Sequence, residues 1–359
     1  MQIIQDKNRL YGLTVFVILT VCVAGFSYFN SEPGSDTKDV NITLVELPGN
    51  GTEKNPYLVS NLTSLNSVRL NKNSTYKITK DINAKNTLYI NKGRGFRPIG
   101  VKNLNKPFTG QIYGNNKTIY NLSIIRPNSK FVGLIGLARN ANIRNLSLKS
   151  AYVEGLYATG LLVGGAKGKG NLSNVRVSGN VKGGDRVGGL IGESALKGNI
   201  LESSSNSNVS GRRFVGGLVG YNHVLSKVSD SNSKSYVKAK EFSSGGLVGR
   251  NMGLITDSTS DSRVVGGDRV GGLVGENLGK SKIDFDPTIN NSVAYSDVDG
   301  ERFIGLFVGF NGLDVHNMNR IENKSYEVII ENSSYVSEEG KDPIGRNKGD
   351  KVELRPIDR

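Results

Sequence analysis

A valine returns along this chain at Val153, Val181, Val209, Val237, Val264 and Val298, and about a dozen residues after each comes a short apolar run held between glycines. The valine spacings are 28, 28, 28, 27 and 34 residues, a period that marks one supersecondary unit stacked on copies of itself. The apolar runs keep the same period. They read Gly160-Leu161-Leu162-Val163-Gly164, Gly-Gly-Leu-Ile-Gly at 188–192, and Gly-Gly-Leu-Val-Gly at 216–220, 245–249 and 271–275. A degenerate copy ends at Gly309 and a shorter first one at Gly136. A β-branched run between glycines reads as a buried strand bounded by tight turns, and no box is long enough for a helix. The expected fold is all-β, a solenoid whose coils lie about 4.8 Å apart so that equivalent side chains meet in ladders. The valine column and the leucine column, Leu162, Leu190, Leu218, Leu247 and Leu273, are its predicted core.

The repeated Gly-Gly-Leu-Val-Gly box resembles the GLUG motif of bacterial and archaeal cell-surface and secreted proteins. Upstream pieces resemble the segment that precedes such repeats: Gly49-Asn50-Gly51, Asn55-Pro56-Tyr57, Pro98-Ile99-Gly100, Pro107-Phe108-Thr109-Gly110 and Gly114-Asn115. The likeness spans roughly residues 48 to 310. It implies an extracellular right-handed parallel β-helix of about 28-residue coils, used in adhesins, surface layers and non-catalytic parts of secreted enzymes, and it implies little chemistry.

The flanks divide the rest of the chain. Lys7 and Arg9 precede an uncharged apolar stretch from Leu10 to Phe29, long enough to cross a bilayer as a helix. Residues 1–30 are therefore a signal anchor, or a signal peptide cleaved after Ala24. A lipobox at Cys22 is disfavoured by Val21, where a small residue is expected. Residues 31–47 read as a linker, 48–130 as N-terminal capping coils, 131–310 as the repeats, 311–340 as a C-terminal cap and 341–359 as a frayed, charged tail. Cys22 is the only cysteine, so no intramolecular disulfide staples the fold.

Few residues carry chemistry. His223 and His316 are the only histidines, and no His-Glu-x-x-His occurs, which excludes a zincin-like site. Seven residues before the core valines runs a column of Asn174, Glu202, Asp230, Asp257 and Asn291. Three carboxylates on adjacent coils repel one another unless a proton or a divalent cation intervenes. They could form the acid pair of a retaining glycosidase. The simpler account is a turn, since Asn and Asp favour turns and Ser203, Ser231, Ser258 and Ser292 follow the last four. Before the boxes stand Asp185-Arg186, Arg212-Arg213, Asp268-Arg269 and Glu301-Arg302. They read either as basic binding residues or as an ion-pair ladder on a solvated face.

Charge changes this picture more than any motif does. Lys and Arg exceed Asp and Glu by 46 to 32, a net +14, and spread along a rod that excess attracts polyanions. With no recognition helix expected, acidic polysaccharide or another surface protein is a better partner than sequence-specific nucleic acid. Sequons at Asn41, Asn61, Asn73, Asn116, Asn121, Asn145, Asn171, Asn208, Asn323 and Asn332 are what an Asn- and Ser-rich chain generates by chance. Two functions remain: a non-enzymatic surface or secreted β-helix acting in adhesion or scaffolding, and a β-helix polysaccharide lyase or glycoside hydrolase using Glu202, Asp230 and Asp257. No cofactor is expected, apart from a divalent cation at that acidic column.

Overall fold

The structure, a computed structural model, describes residues 42–101, 106–279, 286–313, 329–336, 341–347 and 351–357. The apolar leader with Cys22 and Ala24, the sequons at Asn41 and Asn323, and His316 lie outside the described residues. The regular secondary structure of the described chain is nearly all β, with parallel strands in a solenoid-like arrangement. Two sheets run along it, one of 23 strands and one of eight. The smaller sheet takes one strand per coil, from Ile135–Arg139 through Val219–Asn222 to Ile344–Asn347.

The valine column is the backbone register itself. Val153 pairs with Val181, and the pairing continues through Val209, Val237 and Val264 to Val298 without a slip at these positions. These valines are buried, as are the five leucines of the second column. The leucine column extends into Phe307, whose carbonyl accepts from the Leu273 amide. A third ladder lies in the smaller sheet, where Ile135, Val163, Ile191, Val219, Val248, Val274, Val308 and Ile344 pair in sequence. Branched side chains suit a buried pleated surface, and one continuous apolar cluster joins all three ladders.

Sterics explain the glycines of the box. A Cβ on Gly217 would lie 2.1 Å from the Gly246 carbonyl oxygen and 2.1 Å from the Ser233 hydroxyl. One on Gly249 would lie 2.5 Å from the Phe214 carbonyl carbon. Phe214 has φ +55°, one of a column of left-handed residues that turn the chain before each box. The box glycines are therefore fixed by the close approach of neighbouring coils.

Both ends differ from the sequence expectation. The first coils contain a helix, Leu62–Ser67, capped by Asn61, whose side chain accepts from the Ser64 amide. It buries Leu65, and Val68 just after it, in the core. At the other end, the segment read as a frayed tail carries strands. Ile344–Asn347 pairs with Val308–Leu313, and Lys351–Ile357 pairs with Ile329–Val336. Ile344, Val352 and Leu354 pack against the core, so three apolar side chains among many charges are enough to add a coil. Among the described residues no helix is long and apolar enough to cross a membrane.

Candidate functional site

The acidic column stands at a corner. Asn174, Glu202, Asp230, Asp257 and Asn291 all have φ of 49° to 50°, the left-handed region that Asn and Asp tolerate best among residues with a Cβ. Glu202, Asp230 and Asp257 are exposed. Asn174 donates to Asn145 at 2.8 Å, and Asn291 donates to Asp257, so amides of neighbouring coils bind across the corner. The serines that follow turn inward. Ser203, Ser231, Ser258, Ser292 and Ser333 are buried, and each hydroxyl donates to the carbonyl two residues back. From Val175 onward, each of these oxygens accepts the amide one coil below. Among the described residues no three His, Cys, Asp or Glu side chains converge on a metal-sized position. Sequons share this geometry: Asn116, Asn121, Asn145 and Asn332 are left-handed corner residues.

The arginines before the boxes stand on a face where each coil turns between its sheets. The pairing runs Lys130, Tyr157, Asp185, Arg213, Phe242, Asp268 and Arg302. Beside this column runs the left-handed one, with Phe131, Arg186, Phe214, Arg269 and Phe303. A third column, Glu193, Tyr221, Arg250, Glu276, Phe310 and Arg346, rises on the smaller sheet. Asp268 faces Arg302, at 2.6 Å, and not Glu301 as matching the dipeptides Asp268-Arg269 and Glu301-Arg302 suggests. Irregularities in the pairing around Gly211–Arg213 and Lys238–Phe242 shift the register there.

Each candidate arginine is held by acids and rings of this face. Arg186 lies 2.6 Å from Glu193 and over the rings of Tyr157 and Tyr221. Arg212 lies 3.1 Å from Asp185, and Arg213 pairs with the same carboxylate. Arg269 pairs with the buried Glu276 and stacks on Phe310, while Arg250 reaches Glu276 at 2.5 Å and stacks on Phe214. The electrostatics follow. Burial pushes the Glu193 carboxyl up, but His223, 2.8 Å away, and Arg186 together hold it below the ordinary carboxylate range. Asp185 is likewise held low by Arg213 and Arg212 against the effect of burial. Burial, then the nearby Glu193, pushes the Tyr157 phenol up to about 12.

Two buried polar ladders escaped the sequence reading. Asn222, Asn251, Asn277, Asn311 and Asn347 occupy one column, each amide donating to the next oxygen at 2.8 to 3.0 Å. The sequence signal was present as Gly-x-Asn closing successive boxes. Inside the coils, Ser205, Ser207, Ser233, Ser235, Ser260, Ser262 and Ser296 are buried and bonded to one another between coils.

Charge is distributed unevenly. Residues 42–132 hold fourteen Lys and Arg against three Asp and Glu, a balance of +11 within the total of +14. The excess therefore belongs mainly to the first coils and is not spread along the repeats.

No family model matches the chain. It is 37% identical over 195 residues to halomucin of Haloquadratum walsbyi, covering 51% of this chain and 2% of that protein. A "putative Gly-rich membrane protein" of Evansella cellulosilytica is 38% identical over 137 residues, covering 36% of this chain and 15% of that protein. The chain thus spans a small part of the curated relatives it matches. Among solved structures, a "putative immunoglobulin A1 protease" from Bacteroides ovatus superposes with TM-score 0.55 at 17% identity, covering 87% of this chain and 86% of the other. At that identity the likeness concerns the fold alone.

Proposed function

We propose that this chain is a non-enzymatic cell-surface or secreted solenoid of the GLUG kind, a right-handed parallel β-helix acting in adhesion or surface scaffolding and binding acidic glycans. One observation carries the reading: along the repeats, the charged and polar side chains bind the coils above and below. From coil to coil Glu193 meets His223, Asp185 meets Arg213, Asp268 meets Arg302 and Glu276 meets Arg250, and the buried asparagines and serines bind between coils. Such a stack extends coil by coil and presents a long surface. Its relatives by sequence, a protein named halomucin and one named for membrane location, support a surface setting. Residues 10–29 would then anchor it, with the described residues outside the cell.

The test is retention of the full chain on immobilised acidic and neutral polysaccharides at two ionic strengths, with reducing ends assayed in the same samples. Salt-sensitive retention on the acidic polymer alone, with no new reducing ends, is the expected result. Cleavage by the parent that disappears in Asp230→Asn would replace this reading with the hydrolase or lyase.

A further inference from the structure

The first coils form an open cavity of about 530 Å³, within the range of small-molecule sites. Arg69, Arg94, Arg97 and Arg126 line it together with Lys72, Lys106 and Lys130, and no carboxylate lines it among the described residues. The fold assembles these cations from distant stretches. Arg69 follows the short helix, Arg94 and Arg97 lie in the loop ahead of Ile99, and Arg126 follows the strand Ser123–Ile125. Arg69 is fixed in place: its Nε donates to the Asn66 carbonyl at 2.8 Å and its Nη2 to the Arg97 carbonyl at 3.0 Å. Its guanidinium also lies 5.1 Å from the centre of the Phe96 ring. Among the described residues none of the seven cations makes an ion pair, in contrast to the arginines of the repeats.

Crowding like charges around a concavity is costly, and the cost is visible. Burial first, then Arg97 and Arg126, lower the Arg69 guanidinium to about 10. Burial first, then Arg94 and Arg97, do the same to Arg126. An anion in the cavity would reverse the repulsion, and arginine forks match the oxygens of sulfate, phosphate and carboxylate.

We infer that this cavity is the binding site for the anionic groups of an acidic oligosaccharide, sulfated or carboxylated. The inference rests on the glycan reading above and gives it a location. The walls favour a sugar over the other polyanions. Among the described residues Phe131 is the only aromatic one lining it, beside the exposed apolar Leu44 and Leu70, whereas single-stranded nucleic acid is held on successive stacking platforms. A concave site also suits an oligosaccharide better than it suits the phosphates along a duplex.

The test is calorimetric titration of the full chain with a sulfated hexasaccharide, a uronic-acid hexasaccharide, a neutral hexasaccharide and oligo-dT, at low and at roughly 300 mM salt. Three proteins are compared: the parent, Arg94→Glu with Arg97→Glu, and a charge-matched control, Lys238→Glu with Lys240→Glu, exposed on a distant coil. The expected result is binding of one or both acidic hexasaccharides that falls about tenfold or more in the first variant and less than about twofold in the control. The tighter of the two identifies the anionic group. Equal losses in both variants overturn the cavity as the site while glycan binding by the chain stands. No binding of either acidic sugar by the parent removes both the site and the glycan reading. Tighter binding of oligo-dT with the same dependence on Arg94 and Arg97 overturns the ligand class.

Discussion

Ser244 interrupts an apolar column. It pairs with Val215 on one side and Val270 on the other, and Val187 precedes Val215 in the same column. Its side chain is fully buried, and its hydroxyl has no hydrogen-bond partner among the described residues. Replacing it with valine removes a buried, unpaired hydroxyl, worth about 1–3 kcal/mol on mutational scales, and adds buried methyl surface at about 0.8 kcal/mol per carbon. The opposing effect is overpacking, about 1–3 kcal/mol where space is lacking. Space exists at the equivalent positions, because glycine faces the column: Gly211 lies against Val215 and Gly266 against both Val270 and Ser244. The net expectation for Ser244→Val is a stabilisation of about 1.5–3 kcal/mol. Urea unfolding followed by far-UV circular dichroism should show a higher midpoint with an unchanged slope. Ser244→Thr, which adds a methyl but keeps the hydroxyl, should gain less. A valine variant less stable than the parent, or no better than the threonine variant, would refute the reasoning.

Five further outcomes test the ladders, the charged face and the acidic corner. Asn251→Ala leaves the Asn277 oxygen and the Gly253 amide without their partners and should cost about 2–6 kcal/mol in urea unfolding. Asn347→Ala, at an exposed end of the same column where water can substitute, should cost about 1 kcal/mol or less. Glu276 has no exposed side-chain surface, but Arg250 and Arg269 keep 11% and 24%. Glu276→Gln should therefore cost about 2–3 kcal/mol, below the 3–5 of a fully buried broken pair, and should lower the thermal midpoint. Asp185 and Glu193 are held below their ordinary values of 3.8 and 4.5. Their stabilisation is thus complete above those values and lost as pH falls through the lower folded ones, so a thermal midpoint that declines below roughly pH 4.5 should decline less in Glu193→Gln. Asp230→Asn, at an exposed left-handed corner within a run of carboxylates, should be neutral or stabilising by about 0.5 kcal/mol.

How much of this was legible depended on whether the information lay in period or in placement. The valine column could be read residue by residue because a repeat fixes which positions meet. No three-dimensional knowledge was needed to set Val209 beside Val237. The same period carried Asn251 and Asn277, yet polar residues near turns suggested loops. Their burial follows from amides that satisfy one another from coil to coil, which no hydropathy pattern encodes. Ser205 and Ser233 were hidden for the same reason. Asp268 and Arg302 keep the 34-residue offset of Val264 and Val298, so counting from the valine sets them opposite, whereas matching the like dipeptides Asp268-Arg269 and Glu301-Arg302 misplaces them by one residue and reassigns the pair. The last coil was missed because Ile344, Val352 and Leu354 are sparse among charges.

The distribution of charge ties these strands of argument together. A coil that repeats must present groups its neighbours can bind, so acid beside arginine, amide beside amide and hydroxyl beside hydroxyl are what stacking selects. Arg186, Arg213 and Arg269 look like ligand residues in sequence, but neighbouring carboxylates hold them in the fold. The first coils do not repeat and are free of that demand. Arg94 and Arg97 can therefore stand beside Arg69 and Arg126 with no carboxylate among them, a cluster that weakens the folded chain unless something outside the stack offsets it. On the proposed glycan reading, repeats that saturate themselves would provide extent, and irregular coils that do not would provide contact. The effect of Arg94→Glu with Arg97→Glu on acidic-sugar binding, set against Lys238→Glu with Lys240→Glu, measures whether that division holds.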